Sequence, residues 1–302
     1  MDNRIREILI NWGLQDNNIK QVYGTVWQAG NNYILKEYQD LEMLKRNLEI
    51  INILDKTDIP VGKVIPPVLE NKNIQYIEYG GNFYFLSQKL PGCHLAEIEN
   101  IHDTAFKMGM VIARLHLAFK KCEENRIFWN NSLLDEMNGW VKKNFEVNGW
   151  KYITNEEYGQ TVSKLAGLYD NLPVQLIHRD VHFGNFLFDG GEFSGYIDFD
   201  LSQRNIRIFD ICYFLTGLLS EEEQIKITEG QWFEFVENVF KGYVNVTELS
   251  SEEKEAVPYV MECIELLFVS YFESIDDVSC AEDAYRIYGF IKKHEKIIWE
   301  SI

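Results

Sequence analysis

The stretch that most constrains how this chain can fold runs from Leu176 to Asp200 and reads LIHRDVHFGNFLFDGGEFSGYIDFD. It opens as an apolar strand and enters a polar loop at His178. Two apolar runs then flank Asp189-Gly190-Gly191-Glu192. Aromatic-rich runs on either side of a Gly-Gly pair predict a β-hairpin. With Asp189–Glu192 as the turn, Phe188 faces Phe193, Asn185 lies opposite Tyr196, and Asp198 sits just past the open end. The hairpin would thus return Asp198 to the neighbourhood of Asn185 and of the loop holding Asp180.

The rest of the chain divides in texture near residue 91. Before it, β-rich runs dominate: Gln21–Gln28, Tyr33–Tyr38, Ile74–Tyr79 and Phe83–Gln88. Ala29-Gly30-Asn31-Asn32 and Gly80-Gly81-Asn82 are the turn signals between them. One helix interrupts the strands, with Asp40 as its N-cap and Leu41, Leu44, Leu48, Ile51 and Leu54 on one apolar face. After Pro91-Gly92 the pattern is mostly helical. One helix starts at Asp103 or Thr104, and others are expected around 132–147, 156–170, 210–219, 231–243 and 252–273, with one more near the C-terminus. The reading is an α+β chain of two lobes: a small β-rich lobe with one main helix over 1–91, and a larger, mostly helical lobe over 92–302. A cleft between two such lobes is a favoured place for ligands.

Acidic residues outnumber basic ones 47 to 29, a formal net charge of −18. Such a surface repels phosphate backbones and anionic lipids, so neither nucleic acid nor a membrane face is the expected partner, whereas a cationic small molecule is attracted. The cysteines Cys93, Cys122, Cys212, Cys263 and Cys280 are odd in number and widely spaced, which argues against zinc and against a disulfide framework. No apolar run approaches the roughly 20 residues that span a bilayer. The expectation is a soluble, cytoplasmic protein.

Phosphoryl transfer explains the residue types in the 176–200 stretch. Mg²⁺ prefers hard oxygen ligands, usually one or two carboxylates completed by phosphate oxygens and water. Asn185 and Asp198 can supply such oxygens, while Asp180, set apart from them, can accept the proton of an attacking hydroxyl. The spacing H-R-D-x-x-x-x-N is that of a kinase catalytic loop. A competing reading takes His178, Asp180 and His182 as the metal ligands of a hydrolase, but it leaves Asn185 and Asp198 without a role.

HRDVHFGNFLF followed by YIDFDLS resembles the aminoglycoside phosphotransferase and choline kinase group of small-molecule kinases, which share a protein-kinase-like fold. The resemblance implies that Asp180 is the catalytic base and that Asn185 and Asp198 hold Mg²⁺. It also implies that Lys36 contacts the phosphates of ATP or GTP. Glu49 is the glutamate chosen to pair with Lys36, with Glu42 as the alternative on the same helix. Ser87-Gln88-Lys89-Leu90 resembles the hinge, whose backbone near Gln88 and Leu90 would meet the nucleotide base. Phe209-Asp210-Ile211 resembles the group's Asp placed before an apolar helix. The plainest reading of Asp210 is an N-cap, and a link back to the catalytic loop is the other; His116 reads as a hydrogen-bonded core histidine.

Three positions depart from the group's pattern. Val22-Tyr23-Gly24-Thr25-Val26 offers a single glycine where a Gly-rich loop could stand, Arg179 stands where Gly is more usual, and Asp200 takes the third place of Asp-Phe-Gly. The implied partners are a nucleotide and a small hydroxyl-bearing acceptor. Trp232, Glu262, Glu265, Tyr271, Glu273, Asp276 and Asp277 could make a surface for an amine-bearing one. A homoserine- or choline-type metabolite kinase and a non-catalytic, spore-coat-type binding protein are the alternatives.

Overall fold

The computed structural model describes residues 3–15, 18–68, 74–124, 127–221 and 223–302. In chain order its first elements are α1 (Asn3–Leu9), β1 (Ile19–Tyr23), β2 (Val26–Ala29), β3 (Tyr33–Tyr38), α2 (Leu41–Leu54), β4 (Val64–Ile65), β5 (Ile77–Tyr79) and β6 (Asn82–Gln88). Next come α3 (Ile101–Glu123), α4 (Leu133–Glu136), α5 (Lys142–Val147), α6 (Asn155–Tyr169), β7 (Val174–Ile177), β8 (Phe186–Asp189), β9 (Glu192–Tyr196) and β10 (Gln203–Ile206). Five helices close the chain: α7 (Ile208–Gly217), α8 (Glu229–Val244), α9 (Ser251–Ser274), α10 (Val278–Lys293) and α11 (Glu295–Glu300).

These elements form two compact units, Met1–Leu95 with Phe183–Asp200, and Ala96–His182 with Leu201–Ile302. The division near residue 91 falls close to the first boundary, but the β8–β9 hairpin joins the first unit. Backbone hydrogen bonds are the reason. Cys93 and Phe188 exchange N–H···O bonds of 2.9 and 2.8 Å, and Tyr196 N–H donates to Pro60 O at 3.0 Å. Gly92 permits this approach, because with φ at 92° a Cβ there would lie 2.3 Å from Phe188 O.

In the first unit an antiparallel sheet has the order β1-β2-β3-β6-β4, with β5 on β6. The run expected as one strand over Gln21–Gln28 is two strands, because Gly24 at φ 39° turns the chain. Alternation along the strands separates two faces. Trp27, Ala29, Leu35, Tyr84 and Leu86 pack with Ile5, Ile8 and Leu9 of α1, a helix the sequence reading missed. Val26, Gln28, Ile34, Lys36, Phe85 and Ser87 line a cavity on the opposite face. Asp40 caps α2, accepting the N–H groups of Glu42 and Met43 at 2.7 and 3.1 Å.

In the second unit α3 lies against α8 at close range. A Cβ on Gly109 would come within 2.0 Å of Val239 O, and one on Gly242 within 2.0 Å of Phe106 O, so both positions need glycine. The cap of α3 is Asn100, which accepts Asp103 N–H at 3.1 Å, not Asp103 or Thr104 as expected. The helix expected over 132–147 is interrupted by a wide turn over Met137–Val141, where Gly139 leaves helical dihedrals. β7 pairs with β10 and feeds directly into the loop that begins at His178.

Candidate active site

Lys36 leaves the cavity-facing side of β3, and its Nζ donates to Asp198 Oδ1 at 2.8 Å and to Asp200 Oδ2 at 2.6 Å. The cavity has a volume of about 340 Å³ and is lined by Lys36, Asn47, Gln88, Leu90, Tyr196 and Asp198, among others. At the hinge, Gln88 N–H already donates to Lys63 O at 2.8 Å and Lys89 N–H to Asn32 O at 2.7 Å. Gln88 and Leu90 both line the cavity, with the Gln88 N–H already paired. Burial disfavours the charged form of Lys36, but the charges of Asp200 and Asp198 outweigh it and hold its pKa above the ordinary lysine value. The ammonium is thus charged at neutral pH.

Glu49 is not the partner that the structure gives Lys36. Asn47 and Ile51 are the α2 residues on the cavity wall, and a residue two positions from Asn47 points about 200° away around the helix. Glu42 is exposed and pairs with Lys45 at 2.8 Å. Asn47 Nδ2 instead donates to Asp200 Oδ1 at 2.7 Å and to the Tyr38 hydroxyl, which itself donates to Asp200 Oδ1 at 2.5 Å.

The hairpin forms with Phe188 opposite Phe193, but its far end is shifted by one residue. Ser194 is an extra residue in β9, so Phe186 meets Tyr196, and Asn185 O accepts Ile197 N–H at 3.1 Å. Ser194 Oγ donates to Pro91 O at 2.8 Å, which holds the bulge. The shift brings Asn185 one step closer to Asp198 than a regular ladder would. Asp198 has a left-handed backbone, φ 62°, and its side chain is 45% exposed. One carboxylate and one amide oxygen, both hard donors at one hairpin end, fit Mg²⁺ completed by phosphate oxygens and water.

In the second unit Asp180 accepts a 2.9 Å hydrogen bond from the Tyr213 hydroxyl, and its other oxygen lies 3.6 Å from His182 Nε2. Burial pushes the Asp180 carboxyl up, but His182, His178 and Tyr213 overcome it and hold the pKa at about 2. Asp210 lies inside α7, fully buried, so the N-cap reading fails. Its carboxylate accepts His178 N–H at 2.8 Å and Arg179 N–H at 2.7 Å, and lies 3.0 Å from His116 Nε2. His116 is bound at its other nitrogen by Tyr243 at 2.8 Å, as its core reading expects. His178 is fully buried whereas His182 is 41% exposed, so these two histidines and Asp180 do not share one open face.

A second cavity, of about 200 Å³, lies wholly within this unit beside Asp180's partners His182 and Tyr213. Glu265, Phe268, Phe272, Asp283 and Ile287 help to line it. Of the acidic and aromatic residues expected to meet an acceptor, only Glu265 is on this wall. Trp232 is core, donating to Leu215 O at 2.8 Å; Glu262 is buried against Thr161; Asp277 caps α10. Sequence reasoning missed Tyr38, Asn47, Glu136 and Tyr213. Tyr38 alone had a local signal, standing two residues from Lys36 on the same strand face.

Residues 13–247 match the Phosphotransferase enzyme family, and the chain belongs to it. Homoserine kinase of Agrobacterium fabrum is 28% identical over 158 residues, 50% of this chain and 46% of that protein. The homoserine kinase of Rhizobium etli is 28% identical over 155 residues, with the same shares. The matched stretch thus spans about half the length of these relatives. Among solved structures, an amicoumacin kinase in complex with AMP-PNP and Ca²⁺ superposes with a TM-score of 0.73 at 19% identity, over 97% of this chain and 93% of that one. The GDP complex of aminoglycoside 2′-phosphotransferase-IIIa gives 0.67 at 13%, over 97% and 100%. A microcompartment-associated aminopropanol kinase gives 0.64 at 15%, over 98% of each. At such identities the likeness is one of fold, and the fold is protein-kinase-like. No helix among the described residues is long and apolar enough to cross a membrane.

Proposed function

We propose that this chain transfers the γ-phosphate of ATP or GTP to a hydroxyl of a small molecule, with Asp180 as base and Mg²⁺ held by Asn185 and Asp198. The observation that carries this reading is the Lys36–Asp198 pair inside a cavity that the hinge residues Gln88 and Leu90 also line. Lys36 would meet the phosphates with its remaining N–H donor. When bound, the metal ion neutralises charge on the phosphate oxygens. Asp180, ionised above pH about 2, accepts the hydroxyl proton as the new O–P bond forms and the bond from the γ-phosphorus to the β–γ bridging oxygen breaks, releasing the nucleoside diphosphate; the Tyr213 hydroxyl fixes one carboxylate oxygen and so orients the other.

The second cavity is where the acceptor would sit, beside His182 and Tyr213. The Phe268 and Phe272 rings, stacked at 5.9 Å, give the acceptor an apolar flank, and Glu265 lies on the same wall. The match to homoserine kinases over about half their length supports a small amino alcohol as the alternative to an aminoglycoside.

An acceptor screen monitored by nucleotide consumption, run with and without a chelator, tests the reading. Turnover with a small amino alcohol, lost in Asp180→Ala while nucleotide binding persists, is the expected result. Undiminished turnover in Asp180→Ala sinks the assignment of the base. Nucleotide binding without turnover on any acceptor would point to the spore-coat-type alternative.

A further inference from the structure

We propose that Asp200, braced by Asn47 and Tyr38, is the carboxylate that positions Lys36, in place of a carboxylate on α2. The inference rests on the reading that Lys36 meets the nucleotide's phosphates. Lys36 Nζ has two carboxylate partners, Asp198 at 2.8 Å and Asp200 at 2.6 Å. The two carboxylates differ in how firmly they are held. The Asp198 side chain is 45% exposed, that of Asp200 21%. Asp200 has both oxygens engaged: Oδ2 by Lys36, and Oδ1 by the Tyr38 hydroxyl at 2.5 Å and Asn47 Nδ2 at 2.7 Å. A carboxylate with both oxygens so engaged is a fixed anchor rather than a metal ligand.

Asn47 shows how the helix takes part. It is buried, and among the described residues its Oδ1 has no hydrogen-bond partner, an arrangement that costs free energy. The amide keeps that orientation because Nδ2 must donate to Asp200 and to Tyr38. A carboxylate at this position would face the carboxylate of Asp200. The side chain on α2 and the third residue of Asp198-Phe199-Asp200 are therefore a matched pair, amide on the helix and acid on the loop. When the proposed metal draws on Asp198, Asp200 keeps the ammonium in place. Asp200 is a positioning residue, acting through Lys36.

A double-mutant cycle tests this in the full chain, reading the Kd of Mg²⁺–ATP by calorimetry together with KM, kcat and the Mg²⁺ requirement. Asp200→Asn should weaken nucleotide binding about tenfold, the scale of one charge-assisted hydrogen bond. Tyr38→Phe, which deletes only a hydroxyl, should weaken it about threefold on the same scale, and serves if Asp200→Asn does not fold. In a Lys36→Ala background neither change should have a further effect, because the group they act through is gone. The exchange Asn47→Asp with Asp200→Asn should recover part of the loss. The proposal is overturned if Asp200→Asn binds like the parent, if its effect persists in Lys36→Ala, or if it shifts the Mg²⁺ requirement. Unaltered nucleotide binding in Lys36→Ala alone would instead sink the reading of Lys36 and is separable from these outcomes.

Discussion

Arg179 Nη2 lies 2.7 Å from both carboxylate oxygens of Glu136, and this pair makes room for an arginine where the backbone favours glycine. Arg179 has φ 68°, a left-handed conformation that costs about 1 kcal/mol for most side chains. The guanidinium, 18% exposed, also lies over the Phe209 ring at 5.9 Å. Removing either charge strands the other in a half-buried site. Glu136→Gln and Arg179→Gly should each lower stability by about 1–2 kcal/mol. The double variant should lie closer to the parent than either single, because it removes both charges and the backbone strain together. Urea denaturation of the four proteins checks this; additive losses would refute the coupling.

Asp210 ties the catalytic loop to the core. Its carboxylate accepts two consecutive loop N–H groups and faces His116, all in a fully buried setting. Asp210→Asn would turn an amide N–H₂ towards those donors. Stability should fall by about 3 kcal/mol, within the range for hydrogen bonds to a charged group. Turnover should fall at least tenfold as Asp180 loses its placement, while nucleotide Kd stays near that of the parent. Parent-like kcat in a folded Asp210→Asn protein would show that the loop holds its shape without this tie.

Asp180 titrates at about 2, below its ordinary value of 3.8, since its partners outweigh burial. A depressed acid contributes stability that is present above its unfolded pKa and lost as pH falls through the folded one. Asp180 thus adds up to about 2 kcal/mol at neutral pH, lost between about pH 4 and 2. His182→Ala removes the largest lowering influence and leaves burial in place. The variant's acid unfolding should begin at higher pH. An unchanged acid transition would mean that Tyr213 and the loop, rather than His182, set this pKa.

Glu265 is shifted the other way, pushed up to about 8 by burial with help from Asp283, against the pull of Thr216 and Arg286. Its favourable neutral form is fully present below pH 4.5 and is lost as pH rises towards 8, where ionisation costs on the order of 4 kcal/mol. Glu265→Gln should therefore match the parent near pH 4 and melt at a higher temperature at pH 8. Equal melting temperatures across this range would place the carboxylate in a wetter setting than the structure gives it.

What the chain reveals from sequence is local. The Gly190-Gly191 turn, with φ of 60° and 83°, sets Phe188 against Phe193 without tertiary help, and Asp40 caps α2 for the same short-range reason. Asp180, Asn185 and Asp198 stand out by their spacing along one loop and one hairpin, and Lys36 by its resemblance to the group's strand lysine; their roles are those proposed above. Helix ends were less legible: Asn100 caps α3 where Asp103 or Thr104 was expected, since several polar residues in a row compete for the same N–H groups.

Tertiary structure decided everything that depends on residues far apart in sequence. The bulge at Ser194 exists because Pro91 and Cys93 dock against the hairpin, and it moves Asn185 from Tyr196 to Ile197. The helix partner of the lysine network is Asn47 rather than Glu49, because the rotation of α2 against the sheet is fixed by packing, which periodicity alone leaves open. Asp210 reads as a cap in sequence and is a buried anchor in the fold, since an acid's role follows from which N–H groups the chain brings to it. Short-range spacing thus singled out the residues proposed to react. The long-range packing determined what holds them.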